Sequence, residues 1–476
     1  MITRKRKNKD GASSSGTINK SDDLFSSLPD NVFTVIFSFL TMREAFYACI
    51  SCKKLKHLVT LIPYVEFNEK ENDCFTDKEE FVQSVSRFLQ NHGCLVKKFE
   101  LAFDPLGKVY SRSVSDWLSS FAKKGIEEVD LMLGGTKNFK FPSSLLTAAT
   151  LKVLKLRNFT VDETSITGFK NLKSLLLESM NVPDSVMGLI TFHCESLQHL
   201  TLDNCSGFTE IKIVDPRSNI ETLILINCCI DDFFWLNVVS LKKLVIRQRI
   251  MNFLVQGSPH VDNLILYRGA ELPITWQESE RVKEHIIESL GNVKSLQLGG
   301  WAFECLAGHW STHQFTKLEE ILLLDFNVCL KNTAALTKLI SQAVGVNKLL
   351  ISINQNSAGD HGIYTDRNFE SVLANFSDDE YEKQPRIALS NNSSLGNSTI
   401  RVVKILGFTG TIYELCHIKF MLAHFRLLRL FKVTPIKDID VDEDQSRAYA
   451  ELISSYPRVS ADVDILMGSE EFNLEN

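Results

Sequence analysis

Leu151-Lys152-Val153-Leu154-Lys155-Leu156 sets a pattern, apolar-x-x-apolar-x-apolar, that recurs along most of the chain. Leu197-Gln198-His199-Leu200-Thr201-Leu202 and Ile220-Glu221-Thr222-Leu223-Ile224-Leu225 repeat it closely. The template starts at Val96, Ile126, Leu151, Leu172, Leu197, Ile220, Leu241, Val261, Val293, Leu318, Val346 and Ile400. From Ile126 to Val346 the steps are 25, 21, 25, 23, 21, 20, 32, 25 and 28 residues. The second position is charged or an amide in every copy: Lys97, Glu127, Lys152, Lys173, Gln198, Glu221, Lys242, Asp262, Lys294, Glu319, Asn347 and Arg401. Alternation inside each hexad is the period of a β-strand.

Twelve copies at this spacing match the roughly 20–29-residue period of leucine-rich repeats. Each unit is a short strand plus a return segment, and neither buries its apolar side alone. Stacking places the first, fourth and sixth residues in one continuous core. The third, fifth and seventh then face the concave side of a parallel β-sheet. Cys205 and Cys228 sit where such repeats carry Asn or Cys. The fifth-position residues Leu176, Ile224, Val245, Ile265, Leu322 and Leu350 make an apolar column. The seventh-position residues Arg157, Glu178, Asp203, Arg247 and Tyr267 flank it with charge and one phenol. That mixture suits protein recognition, and Arg157, Glu178, Asp203, Ile224, Arg247, Ile265 and Tyr267 are the candidate target contacts. Exposed strand residues also serve simply as β-formers, and both readings stay open here.

Upstream, Leu28-Pro29-Asp30-Asn31-Val32-Phe33-Thr34-Val35-Ile36-Phe37-Ser38-Phe39-Leu40 follows a polar tail. From Val32 to Leu40 only Thr34 and Ser38 are polar. Four apart, they share one stripe of a helix, and the remaining circumference is apolar. Such a helix is buried or shared between two partners, and this one is far shorter than the roughly 20 residues that cross a bilayer. Thr41-Met42-Arg43-Glu44 has the form of a capping box for a second helix. Ala45, Ala48, Cys49, Cys52 and Leu55 continue at helical spacing, and Leu58, Leu61 and Ile62 carry the pattern to Pro63. Three short helices in so small a bundle gain stability from a covering partner.

Leu28-Pro29-Asp30, Val32, Ile36, Phe39, Leu40, Ala45, Cys49-Ile50-Ser51 and Lys53-Lys54-Leu55 align without gaps on the F-box. The segment most resembles the F-boxes of plant leucine-rich-repeat proteins. It departs from their pattern with Thr41 for Pro, Cys52 for Lys and Leu55 for Trp. The resemblance implies docking on the Skp adaptor, and through it on cullin, by Leu28, Pro29, Val32, Ile36, Phe39 and Leu40. Near the other end, Val403-Lys404-Ile405, Gly407-Phe408-Thr409-Gly410, Glu414-Leu415, Ile418-Lys419-Phe420-Met421-Leu422, Leu427-Leu428 and Pro457-Arg458-Val459-Ser460 resemble the FBD segment of many plant F-box proteins. Phe420, Leu422, Phe425, Leu427 and Leu428 suit a helix that packs on the last repeat.

The expected organisation is a disordered basic tail at 1–21, an F-box at 22–67, a solenoid at 68–354, a polar insertion at 355–398 and an FBD-like repeat and cap at 399–476. The helical pattern of Phe81, Val82, Val85, Phe88 and Leu89 is expected to cap the solenoid, and a helix is expected near Phe369–Phe376. The fold class is therefore an α/β repeat: a three-helix F-box followed by a leucine-rich-repeat solenoid.

A net charge of −6 gives no reason to expect nucleic acid or an acidic membrane as partner. No run approaches 18 apolar residues and the start lacks a signal-peptide core. The expected place is the nucleus or cytoplasm, with the 11 cysteines reduced. Arg4-Lys5-Arg6-Lys7 reads equally as a nuclear-import patch or a solvated tail. Cys49-x-x-Cys52 lies on an apolar helix face and reads as packing, not as metal or redox chemistry. His309 and His313 lack the H-E-x-x-H context, and no P-loop, G-x-G-x-x-G or G-x-S-x-G is present. The sequence therefore points to no catalytic residue, cofactor or metal. The leading reading is the substrate-recognition subunit of a Skp–cullin–F-box ubiquitin ligase, with an unidentified target protein. A ligase-independent repeat scaffold is the alternative. A hormone-receptor version would need clustered basic residues, and Arg157, Arg247 and Arg268 are scattered.

Overall fold

The computed structural model describes residues 29–37, 39–40, 42–51, 62–69, 77–92, 95–104, 109–134, 139–140, 145, 148–160, 169–215, 217–228, 233–247, 253–255, 261–267, 291–307, 314–353, 398–436 and 443–468. Two helices lead, α1 (Asp30–Phe37) and α2 (Met42–Ser51). Strand β1 (Tyr64–Asn68) and helix α3 (Lys78–Asn91) follow, then β2 (Lys98–Phe103), helix α4 (Ser111–Lys123) and β3 (Glu128–Leu133). Next come β4 (Phe139–Lys140), β5 (Val153–Arg157), β6 (Phe159–Thr160), β7 (Ser174–Glu178), helix α5 (Asp184–His193) and β8 (His199–Asp203). The middle holds β9 (Glu210–Ile213), β10 (Thr222–Ile226), β11 (Phe233–Leu236), β12 (Lys243–Arg247), β13 (Phe253–Val255) and β14 (Asn263–Tyr267). Beyond it lie β15 (Ser295–Gly299), β16 (Glu320–Phe326), β17 (Lys348–Ile353), β18 (Val402–Phe408), β19 (Leu430–Pro435) and β20 (Asp464–Met467).

Fifteen of these strands form one parallel sheet, ordered β1-β2-β3-β5-β7-β8-β10-β12-β14-β15-β16-β17-β18-β19-β20, each beside its predecessor in the ladder. The fourth and sixth hexad residues point into one core that runs from Val65 to Val463. The charged second positions have a structural reason. Their amides carry the ladder down the start of every strand, as in Lys152 N–H to Glu127 O and Lys173 N–H to Lys152 O, both at 2.8 Å. Their side chains reach solvent and pair between repeats: Lys152 with Glu127 at 2.6 Å, Lys242 with Glu221 at 3.0 Å and Lys294 with Asp262 at 3.3 Å.

Helical returns occur only among the longer repeats, although the 25-residue repeat starting at Ile126 carries the short strand β4 in its return. The three successive repeats of 23, 21 and 20 residues starting at Leu197 return through β9, β11 and β13, which form a second parallel sheet. Repeats of 25 and 28 residues starting at Leu172, Val293 and Leu318 return through α5 and the helices Gly300–Leu306 and Leu330–Gln342. An extended residue advances about 3.3 Å and a helical one about 1.5 Å, so only the longer repeats have enough chain to coil.

After four strands the chain turns through a left-handed residue: Asn158, Ser179, Asn204 and Asn227, at φ 64°, 54°, 50° and 48°. Asn is among the few side chains that tolerate this region. Each of the four donates its amide to the last carbonyl of the next strand, namely those of Glu178, Asp203, Ile226 and Arg247. The thiols of Cys205 and Cys228 follow directly and donate to the carbonyls of Leu177 at 3.3 Å and Leu202 at 3.4 Å. This is the role of the Asn/Cys position in the repeat.

Three expectations are corrected. The solenoid begins at Tyr64, inside the stretch assigned to the F-box, because β1 pairs in register with β2 from Tyr64↔Lys98 to Asn68↔Ala102. Helix α3 is the return of that first repeat, buried through Phe81, Val82, Val85 and Leu89, and not a cap. The stretch Phe425–Leu428 does not extend a packing helix. The helix Ile412–His424 ends there, and β19 begins at Leu430 as a further full strand. The third F-box helix, Thr41, the side chains of Cys49 and Cys52, His309, His313, and all but Ser398 of the 355–398 insertion lie outside the described residues.

Candidate protein-interaction surfaces

Helix α1 has two apolar faces. Phe33 and Phe37 point inward and pack with Ala45 and Ile62, helped by Ile36, Leu40, Ala48 and Phe88. Val35 and Phe39 point outward, 58% and 83% exposed, and Val32, like Tyr47 on α2, is exposed as well. Burying Phe33 and Phe37 secures the helix, and spacing of three and four residues fixes which residues remain outside. Of the expected adaptor contacts, Pro29, Val32 and Phe39 are exposed, while Ile36 and Leu40 are half-buried against the bundle. Leu28 lies outside the described residues. Val35 and Tyr47, which the sequence reading does not single out, are exposed as well, and the helical phase of Val32 and Phe39 already includes Val35.

The bundle is fastened to the sheet. The thioether of Met42, at the start of α2, accepts the Glu66 amide of edge strand β1 at 3.3 Å. Ile62 and Phe88 join the bundle core to the first repeat.

On the open face of the sheet, seven charged groups form an alternating chain across β2, β3, β5 and β7. Lys98 contacts Glu100 at 2.6 Å and Glu128 at 3.6 Å. Lys155 contacts Glu128 and Asp130, both at 3.5 Å. Arg157 bonds Asp130 and, at 2.7 Å, Glu178. Arg157 and Glu178 are therefore committed to neighbours within the sheet.

The chain ends against a like charge. Asp203 stands in register with Glu178. Burial first, and then the Glu178 carboxylate, raise its proton affinity above the usual carboxylate range, against the pull of Arg247. Ile224, on the next strand, is half-exposed. Arg247 pairs in register with Tyr267, whose hydroxyl donates to Asp325 Oδ2 at 2.9 Å.

The apolar column divides at this point. Leu176 and Ile224 are half-exposed, but Val245, Ile265, Leu322 and Leu350 are buried, Ile265 at 8% exposure. Val245↔Ile265 and Leu322↔Leu350 are in-register pairs within this buried stretch. Ile265 thus offers little accessible surface. The accessible part of the row is Leu176, Glu178, Thr201, Asp203, Ile224 and Ile226.

Residues 88–275 match the family described as At1g61320/AtMIF1, LRR domain. The chain is 25% identical over 286 residues to the F-box/FBD/LRR-repeat protein At5g56420 of Arabidopsis thaliana, a match covering 58% of this chain and 65% of that protein. It is 28% identical over 237 residues to the F-box/LRR-repeat protein At3g58900 of the same plant, covering 47% of this chain and 69% of the relative. It is 29% identical over 237 residues to the Arabidopsis thaliana F-box/FBD/LRR-repeat protein At4g00160, covering 47% of this chain and 51% of the relative. The chain thus spans between about half and two thirds of the length of these relatives. Its homologues and the matched repeat domain set the chain alongside the plant F-box/LRR-repeat proteins.

Proposed function

We propose that the chain is the substrate-recognition subunit of a Skp–cullin–F-box ubiquitin ligase. The observation that carries the reading is the two-sided helix α1. Phe33 and Phe37 hold it to its own bundle while Val32, Val35 and Phe39 stay in water. Contiguous exposed apolar surface marks an interaction site, and relatives similar in sequence to this chain are named F-box proteins. The repeats then present a target through Leu176, Asp203 and Ile224, with Arg247 and Tyr267 at the far end of the row. The chain supplies position and affinity, and the ligase partners supply the chemistry.

The test is co-purification of the full chain with a plant Skp adaptor. Phe39→Ala and the Leu28→Ala/Pro29→Ala pair should each weaken binding by about 2 kcal/mol or more if these residues are anchors. Circular dichroism should show the solenoid unchanged. If the wild type does not bind the adaptor, the ligase reading fails and the scaffold reading takes its place. Leu55, where F-boxes carry an aromatic, is the residue that favours that scaffold.

A further inference from the structure

Two charged side chains on the open face stand apart from the charge chain. Asp203 on β8 and Arg247 on β12 are half-buried, and both align with Ile226 of β10, one on each side of it. Neighbouring strands lie about 4.8 Å apart, so two steps separate the pair by roughly 9.5 Å. That is too far for an ion pair, although Arg247 still draws down the proton affinity of Asp203. Beyond Asp203, Glu178 is a like charge already held by Arg157 at 2.7 Å. Beyond Arg247, Tyr267 gives its hydroxyl to Asp325. Among the described residues no side chain donates to the Asp203 carboxylate, and no carboxylate pairs with the Arg247 guanidinium. Between the two charges, Ile224 and Ile226 are half-exposed. A line across the strands therefore reads carboxylate, isoleucines, guanidinium.

We propose that this line receives one amphipathic helix of the target protein, laid across the strands with a Lys or Arg over Asp203 and, seven residues away, an Asp or Glu over Arg247. The inference rests on the reading of this row as the target surface. Seven residues of helix advance about 10.5 Å and return to the same face, which matches the gap between the two charges. In an extended segment the side chains of one face recur at about 6.6 and 13 Å, and neither spacing fits. Apolar residues three and four places after the basic one lie over Ile224 and Ile226. There they exclude water from the two ion pairs at either end, as the apolar surroundings of binding hot spots do. The order of the charges is selective. A helix laid the other way would set a carboxylate against Asp203 and Glu178 together, and juxtaposed like charges reject a wrong partner.

The experiment selects binders of the full chain from a displayed library of single helices randomised along one face. Helices whose binding is abolished by Ile224→Lys are those seated on this line. They should carry a basic and an acidic residue seven apart with apolar residues between. Asp203→Asn and Arg247→Gln should each weaken them roughly 10-fold at low salt, and less at high salt, where charge is screened. The double swap Asp203→Lys/Arg247→Glu should reject them and accept the same helices with their two charges exchanged, a rescue that a misfolded variant would not show. If the helices lost with Ile224→Lys lack the charge pair, or bind the double swap as well as the wild type, this inference is overturned while the target surface stands. If no selected helix responds to Ile224→Lys, the reading of the row as target surface fails with it.

Discussion

Tyr267 on β14 donates its hydroxyl to the Asp325 carboxylate on β16 at 2.9 Å, stepping over the whole of β15. What it crosses is Gly299, the last residue of that strand. A Cβ at Gly299 would lie 3.2 Å from Tyr267 Cδ2, so the missing side chain is what lets the ring lie across. The bond ties three repeats together on the open face. Gly299→Ala should displace the ring and cost about 1–2 kcal/mol, and Tyr267→Phe about 1 kcal/mol. The urea midpoint of the repeat transition reads both. A double variant no worse than Gly299→Ala alone would show that the two act through one contact.

Arg157 is the hinge of the charge chain, held by Asp130 on one side and Glu178 on the other. Arg157→Met keeps the packing of the stem but removes the cation between the Asp130 and Glu178 carboxylates, leaving Asp130 only its longer contact with Lys155. A loss of about 2 kcal/mol is expected. Adding Asp130→Asn to Arg157→Met should recover part of it, as a double-mutant cycle would show. A purely additive cycle would mean that the pairs do not interact.

His417 links the helices on either side of the 355–398 stretch, its Nδ1 lying 3.0 Å from Thr333 Oγ1. The Thr333 hydroxyl already donates to Cys329 O at 2.9 Å, so the imidazole Nδ1–H is the donor of the pair. Burial pushes the imidazole down to about 4 from an ordinary 6.5. The unfolded chain therefore binds this proton first as pH falls. Stability contributed here is complete above about 6.5 and is lost toward 4. His417→Phe should flatten the stability profile across that window in denaturant titrations, whatever it costs at neutral pH. An unchanged slope would rule out His417 as the acid-sensitive group.

Cys194 is buried, and burial pushes its thiol up to about 12. The hydrogen bond that its S–H gives to Cys205, and then burial, likewise keep the Cys228 thiol neutral. The thiolate is the reactive form, so iodoacetamide at pH 8 should leave both unmodified in the folded chain. Mass spectrometry along a urea series should show labelling rise together with unfolding. Prompt labelling in native buffer would contradict the packing described for these repeats.

The strand half of each repeat was legible, because a hexad needs apolar residues at its first, fourth and sixth positions wherever it stacks. The same template fits Ile62-Pro63-Tyr64-Val65-Glu66-Phe67 and Leu428-Arg429-Leu430-Phe431-Lys432-Val433, which the sequence reading passed over. Both lie beside helical patterns that claimed their apolar residues. The return segments were less legible, since their form depends on how much chain is left between strands. Burial of Val245, Ile265, Leu322 and Leu350 was not legible at all: an apolar residue at the fifth position looks the same whether it is buried or not. On α1, the inner and outer faces could be told apart only once Phe33 and Phe37 were seen against Ala45 and Ile62.

Strands β17 and β18 pair directly, from Lys348↔Val402 to Ser352↔Leu406, although more than forty residues separate Ile353 from Val402 in the chain. The ladder closes over that gap as tightly as over a short repeat, with Arg401 N–H reaching Asn347 O at 2.8 Å. The geometry of the sheet is therefore insulated from the length of what intervenes. Chain can be gained or lost between these two strands without moving any other residue on the open face. A lineage can diversify there while the order and register of the strands stay fixed.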